Sequence, residues 1–211
     1  GAGSGRSRAL PSALHRDAFV VFRTLCKLSM RSATDDAEDP DAPVNPVSLQ
    51  SKLLSLELLL SVLEYSGQSF RTGRSFIFAI REHLCRSLPA NCLSPVTQVV
   101  SLSLRIFVQL VAHFRDHLKA EIEVFIATIF LRILESTNST YDHKVRVMEV
   151  FVQLAQHAGT VSEIFLNYDC DADSIDLFQR IVAALSKSAR GRGEADANVP
   201  QRSAPEEQAL R

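Results

Sequence analysis

Asn45-Pro46-Val47-Ser48-Leu49-Gln50-Ser51-Lys52-Leu53-Leu54-Ser55-Leu56-Glu57-Leu58-Leu59-Leu60-Ser61-Val62-Leu63-Glu64-Tyr65-Ser66-Gly67 is the stretch from which the fold is read. Asparagine before proline is a helix start, because the asparagine oxygen caps free N–H groups and proline at the first helical position lacks only an N–H that would have no partner there. Beyond it Leu49, Leu53, Leu54, Leu56, Leu58, Leu59, Leu60, Val62 and Leu63 make the helix apolar nearly all round. A helix of that kind has to be buried between neighbours. Gly67 is expected just past its C-terminal end.

The neighbours are legible on both sides at helical spacing. Upstream, Phe19, Phe22, Leu25, Cys26 and Met30 share a face, opened by Asp17. Downstream, Thr72 opens a third helix carrying Phe76, Ile77, Ile80, Leu84 and Leu88, and Pro89 is expected to stop it. Ser94-Pro95 repeats the cap-then-proline signal and launches Val99, Leu102, Ile106 and Leu110. Ile122, Phe125, Ile129 and Ile133 form a fifth helix that fades at Asn138, and Asp142 caps a sixth with Val145, Met148, Val152 and Ala155. Thr160-Val161-Ser162-Glu163 has the form of a capping box. Asp173 or Ser174 opens the last helix, with Ile175, Phe178, Ile181, Val182 and Leu185.

These helices recur about every 23 residues, or about 45 per pair, near the period of HEAT and armadillo arrays. No strand-like alternation competes, so the expected fold is an all-α, armadillo/HEAT-like α-solenoid of about seven or eight helices. Burying each Leu, Ile or Phe contributes about 1.5–3 kcal/mol, so the core suffices without metal or disulfide. Residues 1–14 are expected as an expression scar and flexible lead, and 15–188 as the helical domain. A mobile acidic loop is expected near 31–45, where Asp35-Asp36 and Glu38-Asp39-Pro40-Asp41 cluster, and a disordered tail at 189–211.

Composition narrows the function. The 211 residues carry 23 Lys+Arg and 24 Asp+Glu, a formal charge of −1, so the basic excess that nucleic-acid binding draws on is missing. Leu53 to Leu63 and Val99 to Val111 are interrupted by Glu57, Ser101, Ser103, Arg105 and Gln109 and are expected to fall short of a membrane span, which leaves only peripheral membrane association. Cys26, Cys85, Cys92 and Cys170 form no CxxC pair and are read as reduced thiols. His113 and His117 stand at i, i+4 without the glutamate of HExxH, His83 and Cys85 point to different sides of one helix, and Arg71 and Arg74 read as loop cations. No catalytic group, cofactor or metal is expected.

The densest polar cluster is Asn167-Tyr168-Asp169-Cys170-Asp171, between two helices. Two carboxylates beside an amide suit a hydrogen-bonding corner or a partner-contact loop; a calcium site is weaker, since the Dx[DN]x[DN]G pattern is missing.

This pentad, together with Asp17-Ala18-Phe19-Val20-Val21-Phe22-Arg23-Thr24-Leu25-Cys26-Lys27-Leu28-Ser29, Ser51-Lys52-Leu53-Leu54-Ser55-Leu56-Glu57-Leu58-Leu59-Leu60, Ser66-Gly67-Gln68-Ser69-Phe70-Arg71-Thr72, Glu121-Ile122-Glu123-Val124-Phe125 and Asp142-His143-Lys144, resembles the HUS domain, the homology region upstream of the Sec-seven catalytic domain in large Arf guanine nucleotide exchange factors. The likeness is to the BIG, late-Golgi branch and spans about Asp17 to Ser188. It implies a non-catalytic regulatory domain that packs on the preceding dimerisation and cyclophilin-binding (DCB) domain. The pentad, the HUS box, would make that contact through Asn167, Tyr168, Asp169, Cys170 and Asp171. It also implies the exchange domain and Arf-family or Rab-family GTPases as further partners, and a cytoplasmic location, peripheral on trans-Golgi network membranes. The alternative is a free-standing helical-repeat adaptor that binds membrane or transport cargo.

Overall fold

The computed structural model describes residues 12–31, 46–156, 158–170 and 175–196. Residues 1–11, the acidic segment 32–45, Asp171, Asp173, Ser174 and residues 197–211 lie outside the described residues. Among the described residues every regular element is a helix. The helices are α1 (Ala13–Met30), α2 (Pro46–Tyr65), α3 (Gln68–Arg71), α4 (74–92), α5 (Thr97–Phe114), α6 (119–135), α7 (Tyr141–Ala155), α8 (158–169) and α9 (Leu177–Asp196). Helix α9 thus continues past Ser188, where the sequence suggested the domain would end.

The helices stack as a repeat array. α2 packs on α1 and α5, α5 on α4 and α7, and α9 closes the end against α6 and α8. One continuous core runs through them, with Leu56, Leu59, Leu63, Ile80, Leu84, Ile106, Phe107 and Phe130 at its centre. Four phenylalanines knit its middle: Phe107 stacks on Phe125 at 4.4 Å between ring centroids, and Phe130 meets Phe107, Phe125 and Phe151 edge-on at 5.0, 5.1 and 5.6 Å. Such aromatic pairs add to the burial of their area.

Several helix boundaries differ from the expectation, each for a local reason. Ser12, rather than Asp17, caps α1, accepting from the N–H of His15 at 3.2 Å. Gly67 takes an extended conformation (φ −81°, ψ 179°) and opens α3 instead of closing α2. Thr72 ends α3, its hydroxyl turned back to donate to the Gln68 carbonyl at 2.9 Å, and Gly73 starts α4. Gly73 is needed for space: a Cβ there would stand 2.9 Å from both the Phe76 ring and the Ser69 carbonyl. Helix α5 begins two residues past Pro95, and Ser94 instead accepts from the Val96 N–H. Thr140 caps α7, leaving Asp142 to pair with Arg146 one turn on at 2.9 Å. Thr160 lies buried inside α8, so the capping-box reading does not hold.

Pro89 does not stop α4. The chain runs helically from Arg74 to Ala79, through a π-helical turn at Ile80–Leu84, and on from Cys85 to Cys92 with Pro89 inside. Leu88 and Cys92 on either side of the proline are buried, so tertiary packing holds a turn that proline alone disfavours. Replacing it should help: Pro89→Ala is expected to leave the fold intact and raise the melting temperature, by up to about 3 kcal/mol in stability. A lower melting temperature in a thermal melt would mean that the ring's own contacts outweigh the missing hydrogen bond.

Two helices, Pro46–Tyr65 and Thr97–His117, are long and apolar enough by length and composition to cross a membrane, which corrects the expectation that their polar interruptions rule this out. The same composition serves a helix enclosed by neighbours, and half of the most apolar window of Thr97–His117 is buried in the core.

Candidate functional site

The geometry of the HUS-box pentad is set by how α8 ends. Its last turn, Phe165–Asp169, is π-helical, closed by the Cys170 N–H donating to the Phe165 carbonyl at 3.2 Å. One extra residue in a turn rotates the side chains beyond it by about 100° around the axis. Tyr168 is buried there and donates its hydroxyl to the Lys119 carbonyl at 2.9 Å, pinning α8 to the first turn of α6. The Lys119 ammonium lies 5.7 Å from the centre of the same ring, within cation–π range.

Asp169 is a helix cap contributed from a distance. Its Oδ2 accepts from the N–H of Phe178 at 2.7 Å and its Oδ1 from that of Gln179 at 3.0 Å. These are the second and third residues of α9, whose N–H groups have no partner within the helix. The carboxylate also meets the positive end of the helix dipole. The cap expected from Asp173 or Ser174 falls outside the described residues; the one that is seen comes from the preceding helix. Glu123 adds a weaker tie, accepting from the Ile175 N–H at 3.4 Å.

The structure therefore divides the pentad. Tyr168 and Asp169 turn inward and hold α6, α8 and α9 together, whereas Asn167 and Cys170 are exposed. Asp171 lies outside the described residues. Asn167 borders a cleft of about 210 Å³ between α8 and the 3₁₀ turn Arg115–His117, with Val111, Ile122 and Ile164 among its lining. Arg115 and Glu163 line the same cleft and form a two-point ion pair, with Arg115 Nη2 donating to Glu163 Oε1 at 2.8 Å. Sequence reasoning missed this pair. Glu163 was absorbed by the supposed capping box, and Arg115 is 48 residues away along the chain.

The other titratable candidates disperse. His113 is half-buried on α5, where burial and then the charge of Arg71 push its pKa down, while His117 is exposed in the 3₁₀ turn. His83 faces the cations Arg23 and Lys27, which reinforce the lowering that burial begins, whereas Cys85 borders a groove with Glu121. Arg71 donates to the Glu64 carbonyl at 3.5 Å. Among the described residues no three His, Cys, Asp or Glu side chains gather in a way that could hold a metal ion.

The four cysteines are free thiols, Cys26 and Cys92 buried, Cys85 half-buried and Cys170 exposed. Burial pushes the Cys26, Cys85 and Cys92 thiols up to about 12, and raises the Tyr168 phenol too, with help from Glu123 and Glu121. In the unfolded chain these thiols ionise near 9.0. Between the two values the unfolded state binds fewer protons, so this part of the stability is whole below pH 9.0 and is lost as pH rises toward 12. The melting temperature should fall over that window, and less steeply in Cys92→Ala at matched reference stability. A profile that stays flat from about pH 8 to 11 would contradict the linkage.

Comparison with known proteins shows the family. Residues 14–177 match the family model for the Sec7-like HUS domain, described as Mon2/Sec7/BIG1-like. Brefeldin A-inhibited guanine nucleotide-exchange protein 1 of Rattus norvegicus and of Homo sapiens are each 47% identical over 180 residues, which is 85% of this chain and 10% of the relative. Brefeldin A-inhibited guanine nucleotide-exchange protein 2 of Arabidopsis thaliana is 42% identical over 179 residues, 84% of this chain and again 10% of the relative. The chain thus spans about a tenth of the length of the curated relatives it matches. With a family model covering residues 14–177 and relatives 47% identical over most of the chain, the chain belongs to the Sec7-like HUS domain family of BIG-type exchange factors.

Proposed function

We propose that this chain acts as a non-catalytic regulatory domain of a large Arf guanine nucleotide-exchange factor, packing on the DCB domain and helping to place the exchange domain at Golgi membranes from the cytoplasmic side. The observation that carries this reading is the family match over residues 14–177, in a chain whose HUS box keeps Asn167 and Cys170 exposed. The exchange domain and Arf-family or Rab-family GTPases are the further partner classes. Membrane association is then peripheral and comes through the parent protein.

The test is a comparison of the full-length parent with a version lacking this domain, each activating membrane-bound Arf. The expected result is a rate at least tenfold lower without the domain on membranes and little difference in solution. Equal rates on membranes would end the proposal. Flotation of this chain alone with liposomes should leave it mostly unbound. Robust flotation would favour a membrane-binding adaptor instead.

A further inference from the structure

Charge is segregated in this chain although its total is −1. Helix α1 and the residue after it carry Arg16, Arg23, Lys27 and Arg31 against Asp17, a net charge of +3, and α4 carries Arg74, Arg81 and Arg86 against Glu82, a net charge of +2. Arg16, Arg23 and Lys27 stand at i, i+7 and i+11 on one exposed face of α1, with Arg31 exposed at its end. Among the described residues none of these four joins an ion pair, whereas Arg81 is held by Glu121 and Arg86 by Glu82. The face continues onto α4, because α1 packs on the π-helical turn Ile80–Leu84. There Arg23, Lys27 and Arg86 converge on the half-buried His83, adding to the lowering of its pKa that burial begins, with Glu82 opposing them.

The complement to this face is in the same chain. Asp35, Asp36, Glu38, Asp39 and Asp41 give segment 32–45, which lies outside the described residues, a charge of −5. It leaves α1 after Arg31 and enters α2 at Pro46, and Lys52 of α2 donates to the Arg31 carbonyl at 3.0 Å, so its two ends are held beside the basic face. Going out and back, a segment of this length reaches about 23 Å at about 3.3 Å per residue, and Arg23 is only about 12 Å back along α1 at about 1.5 Å per residue. One exposed ion pair contributes little, but several carboxylates tethered at the edge of the face meet it at an effective concentration of the order of millimolar. We infer that the acidic segment 32–45 lies against the face formed by Arg23, Lys27, Arg31 and His83. An acidic partner from outside has to displace it to reach that face.

Two measurements on this chain test the contact. In the first, a glutamate-specific protease cuts after Glu38 at low salt, and the rate is followed by mass spectrometry in the wild type, in a variant combining Arg23→Gln, Lys27→Gln and Arg31→Gln, and in Lys187→Gln as a control on the distant α9, with a thermal melt of each. The triple variant is expected to be cut at least about threefold faster than the wild type and the control, with its melting temperature unchanged, and the difference should vanish in about 1 M salt, where the screening length is about 3 Å. In the second, NMR follows the titration of His83. Replacing Asp35, Asp36 and Asp41 by asparagine removes carboxylates that favour the imidazolium, so the midpoint should fall by at least about 0.3 pH units at low salt and hardly move in about 1 M salt. Equal cleavage rates in the wild type and the triple variant, or a His83 midpoint that does not move at low salt, would overturn the inference. So would faster cleavage that persists in high salt or accompanies a lowered melt, since it would report a loosened α1 rather than a released segment.

Discussion

Phe130→Ala should lower stability by about 3–5 kcal/mol, the range for truncating a fully buried phenylalanine. Phe130 has no exposed surface, sits in the π-helical turn Ile126–Phe130 of α6, and touches Phe125 of the same helix, Phe107 of α5 and Phe151 of α7. Removing the ring leaves a void that these neighbours, themselves rings locked edge to face, are poorly placed to fill. For a chain of this size each kcal/mol shifts the melting temperature by about 2–4 °C, so a fall of roughly 6–20 °C is expected. Phe78→Ala provides the contrast. Its side chain is 60% exposed, and its change should stay within about 0.5 kcal/mol. A Phe130→Ala melt that falls by no more than that of Phe78→Ala would show that the array is not held through this cluster.

Asp169→Ala should cost about 1–3 kcal/mol, because it removes the acceptor for two helix N–H groups at once. Asp169→Asn keeps one accepting oxygen and should recover part of the loss. The damage should be local first. Hydrogen exchange at Phe178 and Gln179, the two donors, should accelerate more than at residues buried in α5. If exchange at those amides and the melting temperature were both unchanged, Asp169 would not be the cap that its distances of 2.7 and 3.0 Å indicate. The result also governs how any binding defect in this variant is read: a lowered melt with lost binding reports a loosened α9, since Asp169 spends both carboxylate oxygens inside the fold.

The boundary differences share one cause. Asp17, Thr72 and Asp142 are all good caps by residue type, yet Ser12, Gly73 and Thr140 start the helices instead. Any of several polar residues near a helix start can bind a free N–H, and the choice depends on where the helix must begin to meet its neighbour. Pro89 failed as a stop for the same reason, since Leu88 and Cys92 have buried places to fill. The π-helical turns in α4, α6 and α8 left no mark in the apolar spacing, because one added residue in a turn only shifts a stripe that is already broad.

The sequence by itself determined that the fold class is all-α, that the helices of the described residues pair into a repeat array, and that Asn167 to Asp171 is the most unusual polar cluster. Those properties are local: spacing, composition and residue type are complete in a short window. Only the tertiary structure decided what the cluster does within the fold. Tyr168 reaches a carbonyl 49 residues back and Asp169 caps a helix that starts after an intervening segment, and neither partner is marked by any nearby pattern. The pairing of Arg115 with Glu163, and the cleft that brings both to Asn167, likewise exist only once α5, α6 and α8 are packed, because the side chains that line them come from three separate turns of the array.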